Sequence, residues 1–208
     1  MDNTQYTRRQ ILKPGLAAAA AMLLPPALAR AATNDSLPLF NGVMQFAYIV
    51  PDIHQAMADW TARLGIGPWF LNEPFDPPQT LYRGQPSRPP INLAMTYSGA
   101  MNIELIQPLD ETPSVYRETL VKKGYGFHHW GLAVDDLGTA LQEYLDQGYE
   151  EAHRVILDGG NQVVYVDTTR DMPGMIELIE ITDGVRTAFG NMHQIAENWD
   201  GEALIYGG

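Results

Sequence analysis

The distribution of apolar and polar positions predicts alternating strands and helices. In Val43–Val50, Gln45, Ala47 and Ile49 share one face of a strand, and Phe46, Tyr48 and Val50 share the other. The period then changes to that of a helix over 53–64, where Ile53, Met57, Trp60 and Leu64 line one side. Asp52 is placed to cap it, and Gly65 and Gly67 to end it. A short strand, 69–71, leads into a long Pro-rich loop, 73–90, and then a hairpin of strands 91–97 and 101–107. A linking helix over 113–123 follows. Beyond it come strand 127–134, helix 136–147, strand 150–156, a Gly159-Gly160 turn, and strands 162–167 and 174–181. An amphipathic helix over 184–198 carries Val185, Phe189, Met192, Ile195 and Trp199 at its apolar positions.

The second half of this plan repeats the first. Gln45-Phe-Ala-Tyr-Ile-Val-Pro-Asp52 aligns with His129-Trp-Gly-Leu-Ala-Val-Asp-Asp136. At the same constant offset, Ile53, Ala56, Met57 and Trp60 fall on Leu137, Ala140, Leu141 and Tyr144. Ile103-Glu-Leu-Ile106 is echoed by Ile176-Glu-Leu-Ile179. A repeated supersecondary unit fixes architecture before any local reading. The expected fold is α+β: two tandem βαβββ modules, 43–110 and 126–183, forming a curved eight-stranded open barrel, with a C-terminal helix and tail at 184–208.

The opening strands also carry an asymmetry. Phe46, Tyr48 and Val50, like Trp130, Leu132 and Val134, are bulky enough for a face covered by a helix. The opposite faces are small beyond one coordinating side chain: Gln45 before Ala47, and His129 before Gly131 and Ala133. That leaves room for a ligand. By the same alternation His128 belongs on the face away from His129. Glu104 and Glu177 each lie in an apolar strand, where a buried carboxylate is costly unless it is paired or bound to a cation. Alone, either glutamate would be read as facing water, His129 as a structural histidine and Gln45 as a surface amide. Four such residues related by the repeat are better explained by one shared site.

Composition narrows the partners and the compartment. Positions 1–32 have the form of a signal peptide: Arg8-Arg9, the apolar run Leu16–Leu24, then Ala29-Arg-Ala-Ala32. The paired arginines suggest twin-arginine export to the periplasm or medium. The apolar run is shorter than the roughly 20 residues that span a bilayer. Residues 33–42 read as a linker. The leader holds four of the 13 basic residues and one of the 25 acidic ones, so the chain beyond it carries 9 against 24, a net −15. Such a charge repels nucleic acid and anionic membrane. The absence of cysteine removes thiolate metal sites and cysteine nucleophiles. Nor does a serine sit in a G-x-S-x-G turn.

With those residues in hand, the chain resembles the vicinal oxygen chelate superfamily, which includes glyoxalase I, methylmalonyl-CoA epimerase, extradiol dioxygenases and fosfomycin-resistance proteins. The resemblance covers about 43–181 and is most specific at Asn102-Ile-Glu-Leu-Ile-Gln-Pro-Leu109 and Gly126-Phe-His-His-Trp-Gly-Leu-Ala-Val-Asp-Asp136. It implies that Gln45, Glu104, His129 and Glu177 bind one divalent ion. Three oxygen donors and one imidazole suit Mn, Mg, Co, Ni, Fe or Zn. It further implies a carbonyl polarised at that ion and an enolate formed by loss of the α-proton, in an isomerase, epimerase or lyase reaction. Glu104 and Glu177 are then candidate catalytic residues beside a metal-bound hydroxide, and Glu73 is a third candidate base. Gln45 departs from the two-histidine, one-carboxylate pattern of extradiol dioxygenases, which ranks ring cleavage lower.

Export argues against glutathione and acyl-CoA substrates, which are cytoplasmic, and for a small hydroxy- or keto-carbonyl compound. Trp69, Tyr97 and Tyr165 are candidate pocket walls, and Arg83 in the long loop is a candidate partner for an anionic group. No separate organic cofactor is implied. The expected partners are a small-molecule substrate and a second copy of the chain, with no nucleic acid and no membrane after leader cleavage. The alternative within the same fold is a metal-free protein that sequesters a small molecule, a reading kept open by the weaker ligand Gln45.

Overall fold

The computed structural model describes Phe40 and residues 42–207; the leader and most of the linker lie outside the described residues. The first module comprises β1 (Gly42–Ile49), α1 (Ile53–Leu64), β2 (Phe70–Phe75), a hairpin of β3 (Gln79–Tyr82) and β4 (Gln85–Pro86), then β5 (Ile91–Ser98) and β6 (Met101–Pro108). Between the modules runs α2 (Val115–Lys123). The second module comprises β7 (Gly126–Val134), α3 (Leu137–Asp146), β8 (Glu150–Ile156), β9 (Gln162–Asp167) and β10 (Met175–Glu180), and α4 (Asp183–Glu197) follows it.

The repeat is visible in the caps. Asp52 accepts a hydrogen bond from the Gln55 backbone N–H at 2.8 Å, and Asp136, its counterpart in the repeat, accepts from that of Thr139 at 2.6 Å. Each satisfies one of the free N–H groups of a helix start. Gly65 ends α1 in the left-handed conformation (φ 67°), which glycine adopts without a Cβ penalty.

The sheet is a curled, open half-barrel of ten strands rather than the expected eight, in the order β2-β5-β6-β1-β7-β10-β9-β8-β3-β4. The two additional strands, β3 and β4, arise from the Pro-rich stretch expected to be a loop. Their hairpin turns at Arg83-Gly84, with φ of 47° and 75°. A two-residue hairpin turn with both central residues at positive φ matches the twist of the flanking strands. The hairpin leaves its own module and adds to β8 of the other, with Leu81 opposite Arg154.

Both helices of the repeat cover one face of the sheet. Ile53 and Met57 of α1 are fully buried with Trp69 and Leu105, and Phe46, Tyr48 and Trp60 pack against them. Leu137 and Leu141 of α3 meet Val164, Val166 and Leu178, with Trp130 and Leu132 alongside. Burial of each such aliphatic side chain contributes about 1.5–3 kcal/mol. The other face carries its own cluster, including Ala47, Ile106, Val115, Tyr116, Tyr165 and Met175. The division of β1 and β7 into a bulky covered face and a small face is therefore realised in the packing, apart from one residue of β7 described below.

Candidate metal centre

Four adjacent strands, β6, β1, β7 and β10, carry Glu104, Gln45, His129 and Glu177, one residue each, in that lateral order. β1 pairs in parallel with β6, placing Ala47 opposite Glu104. β7 pairs in parallel with β10, placing Gly131 opposite Glu177. In each module the glutamate thus sits across from the residue two beyond the opening ligand, on the same face. The antiparallel β1–β7 pair joins the halves and sets Gln45 opposite Gly131.

All four side chains are buried: Gln45 is 1% exposed, Glu104 3%, His129 0% and Glu177 5%. His129 Nε2 lies 3.4 Å from Glu104 Oε2 and 3.2 Å from Glu177 Oε2. One ligand atom from each of these three residues falls within 4.8 Å of the other two. The Gln45 amide lies beside Glu104 and favours its ionised form. Glu104 Oε2 and His129 Nε2 are buried without a hydrogen-bond partner. Burial, reinforced by the charge of Glu177, raises the Glu104 pKa well above the usual carboxylate value, and the Gln45 amide only partly opposes this. Two carboxylates and an imidazole held together without protein cations are what a divalent ion would neutralise. Their oxygen and nitrogen donors fit such an ion.

Close approach makes the space. A Cβ on Gly131 would stand 2.7 Å from Gln45 Cβ and 2.9 Å from its Oε1, so any larger residue displaces the amide.

His128 is not where strand alternation puts it. Ala47 pairs with His129 but Tyr48 with Phe127, so His128 is an extra residue in β7, a β-bulge. A matching irregularity stands at Met44, since Val43 pairs with Leu132 and Gln45 with Gly131. Met44 and His128 are equivalent positions of the repeat, each immediately before a candidate ligand. The bulge brings the His128 ring beside that of His129, with Nδ1 to Nδ1 at 2.8 Å, and beside Tyr116 and Tyr165. A polar residue in a position assigned to an apolar, helix-covered face was the sequence signal for this bulge.

The pair has a determined polarity. His128 Nε2 meets the Val115 carbonyl at 3.3 Å, and a carbonyl only accepts, so Nε2 carries the hydrogen. Burial holds the His128 pKa well below its ordinary value, keeping the ring neutral and its Nδ1 a lone pair. His129 Nδ1–H therefore donates to His128. Nε2 is left as the His129 nitrogen that faces both glutamates.

Above this cluster lies a cavity of about 140 Å³. Its walls include Phe75, Leu93 and Met95 from the first module, Val163 and Tyr165 from the second, and Val185 and Phe189 from α4. Tyr116 reaches it from α2; Tyr116 and Phe189 are wall residues that strand patterning did not reveal. Tyr165 lines the cavity, its ring 4.9 Å from that of His129. Burial raises the Tyr116 and Tyr165 pKa values, and the hydroxyls lie 3.3 Å apart.

Three other wall candidates lie elsewhere. Trp69 is fully buried on the helix-covered face, where its indole N–H donates to Thr61 at 2.9 Å and its backbone bridges to Ile205 of the tail. Tyr97 packs edge-on against His193 of α4 and does not line the cavity. Arg83 is held by Glu118 at 2.8 Å and Asp167 at 2.7 Å, tying the β3–β4 hairpin to α2 and β9, because its turn aims it at those carboxylates. Glu73 also stands outside the lining, bonded to His54 at 3.0 Å and Asn92 at 3.1 Å, although its neighbour Asn72 is part of the wall.

The family model for the Glyoxalase/Bleomycin resistance protein/Dioxygenase superfamily matches residues 44–165, more than half of the chain. The chain belongs to this superfamily. Among solved structures it is similar to a hypothetical protein from Bacillus halodurans C-125, with 22% identity over 68% of this chain and 94% of that one and a TM-score of 0.51. It is also similar to methylmalonyl-CoA epimerase from Mycobacterium tuberculosis, with 22% identity over 76% of this chain and 99% of that one and a TM-score of 0.50. At this identity the likeness shows the superfamily fold. No curated protein matches the chain.

Proposed function

We propose that this protein is an exported, divalent-metal-dependent enzyme of the isomerase, epimerase or lyase type, acting on a small hydroxy- or keto-carbonyl compound. The observation that carries the reading is the convergence of Glu104, His129 and Glu177 within 4.8 Å at a buried cluster beneath a cavity. Gln45 completes the donor set. A divalent ion bound there would polarise a carbonyl and lower the cost of removing the proton α to it.

The chain's own residues divide the remaining work. Glu104 is a buried carboxyl that lines the cavity, which places it to accept the α-proton. Gln45 holds that carboxyl in place through its amide. Tyr116 and Tyr165 keep their protons and serve as hydrogen-bond donors to a bound oxygen rather than as bases. His128 orients His129.

The test is elemental analysis of protein purified without a histidine tag, followed by a screen of hydroxy-ketones and aromatic aldehydes for exchange of the α-proton in D₂O. Stoichiometric metal with exchange supports the reading. Metal-free protein that gains no thermal stability from Mn, Ni, Co or Zn would replace it with the sequestering protein. Export is tested separately: replacing Arg8 and Arg9 by Lys is expected to retain precursor in the cytoplasm, and normal periplasmic accumulation of that variant counts against the leader.

A further inference from the structure

We propose that the part of the substrate that enters the cavity is electrically neutral and no larger than a single ring, so that an α-hydroxy ketone with an aromatic-sized apolar group fits and one carrying an anionic group on that ring does not. The inference rests on the reading above for the two oxygens that approach the ion, and goes beyond it in naming the remainder of the molecule.

Size comes first. The cavity holds about 140 Å³. An apolar protein cavity of about 150 Å³ accommodates benzene. A nucleotide-bearing thioester or a peptide conjugate could place only its acyl end there.

Charge is the second and independent constraint. Beyond the glutamates, the walls are largely apolar: Phe75, Leu93, Met95, Leu157, Val163 and Phe189. Their polar additions are the Asn72 amide, Gln45 and the two tyrosine hydroxyls. No lysine or arginine lines the cavity. Arg63 stands in the last turn of α1, against the other face of the sheet, and the remaining cations of the described residues are engaged elsewhere. Arg83, Arg88, Arg117, Lys122, Arg154 and Arg170 are each ion-paired to a carboxylate. Lys123 donates to the Pro173 carbonyl, and Arg186, next to the lining residue Val185, is turned over the Phe40 ring at 5.0 Å. The exposed side chains adjacent along the chain to other lining residues include Glu73, Asp76 and Asp158. A carboxylate or phosphate entering would lose its water, meet no cation of the protein, and approach Glu104 and Glu177. A neutral ring loses nothing by the same transfer and gains from apolar burial.

The experiment compares 2-hydroxyacetophenone with its para-carboxylate analogue, by calorimetric titration of the full-length mature protein carrying its purified metal complement. The neutral probe is expected to bind at least about tenfold more tightly, since only the charged probe must be desolvated without a partner. Leu157→Lys places a cation in a half-exposed part of the wall and is expected to narrow or reverse that ratio. In protein stripped with a chelator the anion also meets Glu104 and Glu177 uncompensated, so the preference for the neutral probe is expected to persist or widen, at lower affinity. Metal content therefore tests the earlier reading, and the neutral-to-anionic ratio tests this one. Equal or tighter binding of the carboxylate, or no binding of either probe, overturns it.

Discussion

His128 and His129 are consecutive in the chain, yet their imidazoles face each other across 2.8 Å inside the half-barrel. The β-bulge that permits this links the Val115 carbonyl through two rings to the centre of the glutamate cluster. Partners that fix the tautomer and orientation of a metal-binding histidine commonly change affinity 10–100-fold when removed. His128→Phe is expected to weaken divalent-ion binding by about that factor. His128→Gln, which can both accept from His129 and donate to Val115, is expected to retain most of it. Long-range ¹H–¹⁵N spectra of the metal-free protein should show His129 protonated at Nδ1 in the wild type. A wild-type His129 lacking that proton would remove the positioning role.

The metal cluster should betray itself through stability. Glu104 has a raised pKa in the folded state, so above the ordinary carboxylate range its ionisation favours unfolding. Glu104→Gln is therefore expected to stabilise chelator-treated protein at pH 7. The gain should vanish below about pH 4, where the carboxyl is protonated in both states. Added metal should reverse the order, stabilising the wild type and not the variant. Urea unfolding at the two pH values, with and without Mn²⁺, measures all of this.

His129→Ala and Glu177→Ala are each expected to lose the bound ion while retaining the circular dichroism of the fold, as read by elemental analysis beside the spectrum. Retention of stoichiometric metal by both variants would count against the cluster as its site.

Gly131→Ala probes the close approach of β7 to Gln45. The added methyl cannot sit 2.7 Å from Gln45 Cβ, so the amide must move. Overpacking of this kind costs about 1–3 kcal/mol. The expected outcome is a folded protein with weakened metal binding, and titration showing unchanged affinity would mean that Gln45 is not a ligand.

Arg83 should behave as a structural cross-link. Its removal by Arg83→Met frees Glu118 and Asp167, and hydrogen bonds to charged groups contribute about 1.5–3 kcal/mol each before solvent screening, which reduces the figure for this partly exposed side chain. Against the opposing effect of burial, hydrogen bonds to Arg83, then Lys122 and Tyr82, hold the Glu118 pKa low, and hydrogen bonds to Thr169, then Arg83, hold that of Asp167 low. That stability is present above the unfolded-state carboxylate pKa and is lost as pH falls through the folded value. The gap between wild type and variant should be widest above about pH 5, narrow as pH falls through the ordinary carboxylate range, and close only below the lowered folded values. A gap independent of pH would show that the arginine acts through packing alone.

Sequence by itself determined the repeated units, the Asp52 cap, the helix-covered faces of β1 and β7, and the four residues that the repeat relates. These follow from local rules: side chains alternate along a strand, helices return every three to four positions, and a repeated segment applies a single plan twice. Tertiary structure decided what depends on neighbours distant in the chain. The β3–β4 strands exist because β8 offers an edge to pair with, which the loop composition of 73–90 did not disclose. Arg83 was diverted from any ligand because Glu118 and Asp167 reach it from two other elements. Trp69 went to the covered face and Tyr97 beneath α4, since an aromatic residue on a strand is apolar enough for either side. His128 turned inward because pairing with β1 skips a residue of β7 at that point, and a bulge is a property of two strands rather than one.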